Sequence, residues 1–226
     1  MTSSIGERLE AVRQRIREAE RAVGRPEGSV VLVAVSKTQP AEAIAAAYAS
    51  GQQDFAENYL QEALGKQEPL AGFDLCWHFI GPIQSNKTKL IAQHFRWVHS
   101  VDRPKIAERL SEQRPAELPP LNICLQVNVS GEASKGGVSL GELPALAAAV
   151  QRLPRLKLQG LMAIPAPTPD VAKQREGFRA MRHAAEALGL ATLSMGMSDD
   201  LEAAVAEGAT LVRIGSAIFG VRPPKP

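Results

Sequence analysis

The chain has 226 residues, enough for one well-buried core and too few to divide comfortably into two α/β domains. Lys and Arg exceed Asp and Glu by only 26 to 24, with the two signs interspersed, so no basic cluster marks a nucleic-acid or membrane-surface partner. The longest apolar stretches are strand-sized, well short of the ~20 residues of a membrane helix.

In chain order, the first 24 residues are Arg-rich and amphipathic, the profile of a transit peptide. Transit peptides are poor in acids, however, and here Glu7, Glu10, Glu18 and Glu20 alternate with the arginines. Ile5, Leu9, Val12, Ile16, Ala19 and Val23 recur at three-to-four-residue spacing, the stripe of a packed helix. The expectation is a structural N-terminal helix on a cytoplasmic protein. Strand-length apolar runs then alternate with Ala- and Leu-rich helical runs. The strands fall at 30–36, 54–57, 76–80, 97–100, 121–129, 156–164, 192–195 and 210–214. The first intervening helix starts near Pro40, and Gly51, Gly189 and Gly208 stand where helices should end. The Pro-rich tail VRPPKP is expected to fray.

Eight such units in a chain of this size read as a closed parallel (β/α)8 barrel of the TIM type, one domain over residues 1–226. A doubly wound open sheet is the alternative, because periodicity does not report closure. Cys76 and Cys124 lie in apolar strand runs without CxxC spacing and read as reduced core thiols. His78, His94, His99 and His183 show no metal-ligand spacing with one another or with the cysteines.

Barrel chemistry gathers at the C-terminal strand ends, which makes Ser36-Lys37, Glu57-Asn58, Gly81, the stretch from Asn128 to Lys135, Met162, Met197-Ser198 and the stretch from Arg213 to Ser216 the positions to weigh. Lys37 ends a wholly apolar strand and shares a face with Val33 and Val35. If that face is the interior, partial desolvation frees its amine to attack a carbonyl. Barrels often bind phosphate with the loops after strands seven and eight, which here read MGMSDDLEAA and RIGSAIFG. The backbone N–H groups of Gly215 and Ser216 and the Ser198 hydroxyl are candidate donors. Ser198 also has the look of a helix N-cap, with Asp199 and Asp200 in the first turn.

A lysine facing a phosphate cup suits pyridoxal phosphate, and equally a phosphorylated sugar on a lysine-dependent aldolase. Strand five carries Asn122, Cys124, Gln126 and Asn128 on one face. Strand three puts Trp77 and Phe79 on one side and His78 and Ile80 on the other, where His78 reads as a core residue. GMSDD lacks the second glycine of a nucleophile elbow, GEASKGG lacks the ending of a phosphate loop, and no GxGxxG is present.

The blocks VLVAVSKTQP, FAENYLQE, WHFIGPIQSNK, RLKLQGLMAIPAP, LSMGMSDDLEAA and VRIGSAIFG resemble those of the pyridoxal phosphate homeostasis protein family, in order from about Val30 to Gly220. The resemblance implies a barrel like the N-terminal domain of alanine racemase, without the racemase's second domain. It implies a Schiff-base lysine at Lys37, Asn58 and Met162 near the cofactor ring, phosphate contacts at Ser198, Gly215 and Ser216, and Arg213 beside the pyridine nitrogen. Lys135 matches a lysine that modulates. Ala56 stands where the family usually has glycine. The function implied is cofactor binding and vitamin B6 homeostasis without robust catalysis, by a monomer whose partners are the cofactor and, transiently, apoenzymes that use it.

The rival is a pyridoxal-phosphate-dependent amino-acid racemase. It needs a second base opposite the lysine, and this chain offers only Tyr48 and Tyr59, both in helical runs, with no second domain. An aldolase would need a carboxylate or tyrosine beside the lysine, for which Glu57 is the nearby candidate.

Overall fold

The structure is a computed structural model that describes residues 3–132 and 136–220. Lys135 and the tail VRPPKP lie outside the described residues.

Eight parallel strands close on themselves in sequence order, β1 (Val31–Val35), β2 (Asp54–Glu57), β3 (Cys76–Phe79), β4 (Trp97–Val101), β5 (Leu121–Val127), β6 (Leu156–Ala163), β7 (Thr192–Ser194) and β8 (Leu211–Ile214). Closure is explicit in the register of the last strand on the first, with Val31 opposite Leu211 and Val33 opposite Arg213. The open-sheet alternative is thereby removed. Strand positions match the periodicity to within one or two residues at each end. Ser36 and Val129 fall beyond their strands because the chain turns there, and Ile164 begins an irregular segment.

Between the strands run α2 (Ala41–Ala49), α3 (Leu60–Gln67), a short 3-10 turn (Ser85–Lys87), α4 (Thr88–His94), α5 (Pro104–Gln113), α6 (Leu143–Gln151), α7 (Val171–Ala187) and α8 (Leu201–Ala206). Pro40 is the N-cap of α2 rather than its first residue. Gly51, Gly189 and Gly208 end their helices with φ of 82°, 65° and 97°, the left-handed region that favours glycine.

Two apolar compartments follow from strand alternation. The large one lies between barrel and helices and takes the outward residues, Leu32, Ala34, Phe55, Trp77, Phe79 and Ile123 among them. The lumen is small and only partly apolar, with a cluster of Val33, Ala56 and Leu211. Gly160 lets β6 approach β7, since a Cβ there would lie 1.8 Å from the Thr192 carbonyl oxygen.

The N-terminal helix α1 (Ile5–Ala22) starts with a capping box in which Glu7 N–H donates to Ser4 Oγ and Ser4 N–H donates to the Glu7 carboxylate. Its buried stripe is Leu9, Val12, Ile16 and Ala19, and it packs on α2, α8 and the short C-terminal helix α9 (Ser216–Phe219). Val23, the last member of the expected stripe, is the C-cap and is exposed. Glu20 is fully buried, accepting from Gly28 N–H, Val30 N–H and the Ser29 hydroxyl, so it anchors the turn into β1. Among the described residues, no helix is long and apolar enough to cross a membrane.

Candidate functional site

Val33 faces the lumen, and alternation carries that face through Val35 to Lys37 at the C-terminal mouth. The β1–β2 register sets Val35 opposite Ala56, so two residues further on Lys37 comes beside Asn58. The β1–β8 register sets Val33 opposite Arg213, which brings Gly215 up beside Val35. Lys37, Val35, Gln39, Gly215 and Ser216 consequently line one small hollow. Ser198, from the loop after β7, places its Oγ 3.4 Å from Ser216 Oγ. Met162 pairs with Ser194 across β6 and β7 and is fully buried on the same inner face. Lys37, Asn58, Met162, Ser198, Arg213, Gly215 and Ser216 therefore gather at the C-terminal mouth or in the lumen below it.

Asn58 carries a second observation. Its Oδ1 is buried and has no hydrogen-bond partner, an arrangement that leaves an acceptor for a ligand donor. The peptide bearing it is held close to the turn after β3. A Cβ on Gly81 would lie 2.0 Å from the Asn58 carbonyl oxygen, so only glycine fits there.

The backbone on both sides of Lys37 is clamped from outside the barrel. Lys66 of α3 is buried and donates to the Ser36 carbonyl at 2.8 Å, to Glu57 Oε1 at 2.8 Å and to the Glu62 carboxylate. Glu62 also accepts from Thr38 N–H, and Glu57 Oε1 accepts from the Ser36 hydroxyl at 2.6 Å. Thr38 has φ of 66°, the one left-handed non-glycine among the described residues, and such strain persists where surroundings over-determine it. Burial pushes the Glu57 carboxyl above its ordinary range, with Lys66 pulling it back. Glu57 points away from the lumen with Phe55, so it is not the carboxylate an aldolase would need beside Lys37.

Beneath the mouth the lumen is polar. The buried Arg213 guanidinium donates to Ser194 Oγ at 2.7 Å and to the Ala163 carbonyl at 2.9 Å. Ser194 Oγ is 2.7 Å from His99 Nδ1, His99 Nε2 is 2.9 Å from His78 Nδ1, and His78 Nε2 is 2.9 Å from Asp54 Oδ1. Burial lowers Arg213 to about 10, with the charge of Asp200 opposing. Burial also holds His78 and His99 below the usual imidazole range. His78 is thus a core residue with partners, as expected, though of a wider network.

Several expectations change. Ser198 is not an N-cap; the cap of α8 is Asp200, whose Oδ1 accepts from Met197 N–H. Ser198 is left to the mouth of the barrel, its carbonyl accepting from Arg15 of α1 at 3.1 Å. Arg8 of α1 likewise donates to the Ile218 carbonyl, so this helix braces the segments after both β7 and β8. Tyr59 is not helical. It is the extended N-cap of α3 and is exposed, whereas Tyr48 is in α2 with its ring edge-on to Phe73.

Spacing also hid one grouping of ligand-type atoms. Asp54, Cys76 and His78 bring theirs within 4.8 Å at the N-terminal mouth, because β2 and β3 are neighbours. Both cysteines are free thiols, and burial pushes each up to about 12. The clamp and the lumen network were missed by sequence reasoning for one reason: each joins residues from different strands or helices. The one local hint was the inward alternation of His78.

The family model for the alanine racemase N-terminal domain matches residues 8–223. The pyridoxal phosphate homeostasis protein of Pseudomonas aeruginosa is 65% identical over 222 residues, covering 97% of this chain and 96% of that one. The chain belongs to the pyridoxal phosphate homeostasis protein family. The member from Escherichia coli K12 is 53% identical, with 97% of each chain covered. The solved structure of PipY from Synechococcus elongatus with PLP bound superposes with a TM-score of 0.82 at 39% identity, covering 96% of this chain and 100% of that one. Alanine racemase from Corynebacterium glutamicum matches at a TM-score of 0.68 and 19% identity, over 95% of this chain and 62% of its own, a likeness of fold alone.

Proposed function

We propose that the protein binds pyridoxal 5′-phosphate as a Schiff base on Lys37 and serves cytoplasmic cofactor homeostasis rather than turnover. The observation that carries this reading is the shared hollow of Lys37, Gly215 and Ser216, which come from opposite ends of the chain. The PLP-bound PipY relative supports the choice of ligand over a sugar phosphate. The residues present fit the cofactor on a separate ground, the unpartnered buried Oδ1 of Asn58 beside Lys37.

When bound, the cofactor supplies an aldehyde for amine condensation and a conjugated ring that acts as an electron sink. Lys37 contributes the amine, and the clamp on Ser36 and Thr38 fixes the direction in which it leaves the strand. Ser198, Ser216 and the Gly215–Ser216 backbone hold the phosphate with charge-assisted hydrogen bonds. Asn58 and Met162 border the ring. Arg213, which can only donate, would face the ring nitrogen and would discourage its protonation, making the bound ring a weaker electron sink.

Two observations support binding over racemisation. Glu57 is committed to Lys66 on the far side of its strand, and the histidines of the lumen lie below Arg213. The whole chain is read as one cofactor-binding domain, a monomer that meets apoenzymes transiently.

The test is an absorbance spectrum. The purified protein should be yellow or become so on incubation with pyridoxal phosphate, and Lys37→Ala should abolish reversible binding at this site. A protein that stays colourless overturns the reading.

A further inference from the structure

Five polar groups on five strands, Asp54 on β2, His78 on β3, His99 on β4, Ser194 on β7 and Arg213 on β8, form an unbroken hydrogen-bonded path through the lumen. It starts at the first residue of β2, in the N-terminal mouth, and ends at the guanidinium below the cofactor site. The link from His99 to Ser194 joins strands that are not neighbours in the barrel, so it crosses the interior. Trp97 stacks on His78 with centroids 5.7 Å apart, and both imidazoles are closed to solvent.

The chemistry of the two ends orients every proton between them. Arg213 has only donors, so Ser194 Oγ accepts from it and turns its O–H toward His99 Nδ1. With Nδ1 accepting, neutral His99 carries its proton on Nε2 and donates it to His78 Nδ1. His78 then holds its proton on Nε2 and donates to the Asp54 carboxylate, which can only accept. Each donor finds an acceptor. The opposite order would confront the Ser194 oxygen with two donors and strand its hydroxyl proton.

Resting on the cofactor reading above, we infer that Asp54, His78, His99 and Ser194 are positioning residues that act through Arg213 as one relay polarised in a single direction. The aligned dipoles turn their negative ends to the guanidinium and their positive ends to the carboxylate. A buried cation is thereby held charged, and aimed, by an anion at the opposite mouth, in a lumen where hydrogen-bonded chains reinforce one another. Asp200 and Cys124 also face Arg213, and Cys76 faces Asp54 and His78. The Cys76 thiol stays protonated there, so it brings no charge to the relay's lower end.

The relay is tested on the full chain, first without cofactor, by nitrogen NMR of labelled histidine. His78 and His99 should both be neutral with the proton on Nε2. Protonation of either ring at Nδ1, including a zinc titration that shows His78 Nε2 already free for metal, overturns the inference. The second arm uses Ser194→Ala and Asp54→Asn loaded with nitrogen-labelled pyridoxal phosphate. Ser194→Ala should weaken binding roughly tenfold, the scale of losing one hydrogen bond to a charged group, and should move the ring-nitrogen resonance. Asp54→Asn, remote from the cofactor, should move the same resonance in the same direction by less, a readout that a purely structural role leaves still. A ring resonance unmoved in folded Ser194→Ala overturns the inference; if that variant does not fold, Asp54→Asn decides. Failure of the wild-type protein to bind pyridoxal phosphate would sink the cofactor reading alone, and the tautomers would still judge the relay.

Discussion

Replacing Lys66 by Met tests whether the buried ion cluster under Lys37 holds the mouth of the barrel. Methionine retains most of the aliphatic stem and removes the charge. Glu57 is fully buried, and its Oε2 already lacks a partner, so the substitution leaves Oε1 with the Ser36 hydroxyl alone. Removing one member of a buried pair costs about 3–5 kcal/mol because the other charge remains desolvated. At ~2–4 °C per kcal/mol for a chain of this size, the melting temperature should fall by roughly 6–20 °C. The pH dependence has a definite sign. Burial already raises the Glu57 carboxyl and Lys66 opposes that, so the variant's Glu57 rises further.

An acid whose folded pKa is raised contributes stability that is fully present below its unfolded value, about 4.3, and lost as pH rises through the folded value. The deficit of Lys66→Met should therefore be smallest near pH 4 and widen toward neutrality. Thermal melts by circular dichroism from acid to neutral pH measure it, and adding Glu57→Gln should recover part of the loss. A drop below ~2 °C at neutral pH, or one independent of pH, would refute the argument. Because the same ammonium binds the Ser36 carbonyl, retention of pyridoxal phosphate by Lys37 should weaken in parallel.

Pyridoxal without its phosphate should bind Lys37 at least ~10-fold more weakly than the phosphorylated form, since the charge-assisted bonds are lost; equal affinities in a visible titration would place the anion site elsewhere. Ser216→Asp should reduce retention in the same assay by setting like charges together. Alanine racemisation, followed by chiral chromatography, should be absent or trace, and turnover of even ~1 s⁻¹ would move the protein to the racemase class. Arg15→Ala removes an exposed pair with Glu202 worth ~0–1 kcal/mol, so melting should barely shift while cofactor retention falls through the Ser198 loop. An equal loss of both would refute that division.

What the sequence showed well is what one strand or helix shows alone. The continuous apolar run before Lys37, the α1 stripe from Leu9 to Ala19 and the glycines after α2, α7 and α8 all act within a few residues, and each stands where the local pattern put it, Val23 excepted. That Lys37, Asn58, Ser198, Gly215 and Ser216 share one mouth was legible because barrel topology sends strand ends there. Ser198 misled because a hydroxyl ahead of two acids imitates an N-cap, when Asp200 itself takes that place. Lys66 and Glu62 stand four residues apart on α3, a spacing ordinary on any helix. Burial against Glu57 and Ser36 is a tertiary fact that spacing does not carry.

The two polar systems divide the work around the mouth by strand alternation. On β1 and β2, Ser36 and Glu57 point outward into the clamp, while Lys37 and Asn58 follow the inward face. On β7 and β8, Ser194 and Arg213 point inward, and the chain that follows supplies Ser198, Gly215 and Ser216. A conventional barrel lumen filled by branched apolar side chains would pack more tightly. Here Val33, Ala56 and Leu211 form such a cluster, with Val35, Ile80 and Trp97 packed against it, and the described lumen also carries imidazole, hydroxyl and guanidinium groups with their partners. Those groups offer less hydrophobic stabilisation than the leucines and valines they displace. They hold the buried Arg213 cation beneath the mouth. The polar lumen thus gives up hydrophobic stabilisation to keep a cation beneath the mouth, while the apolar compartment outside the barrel stabilises the fold.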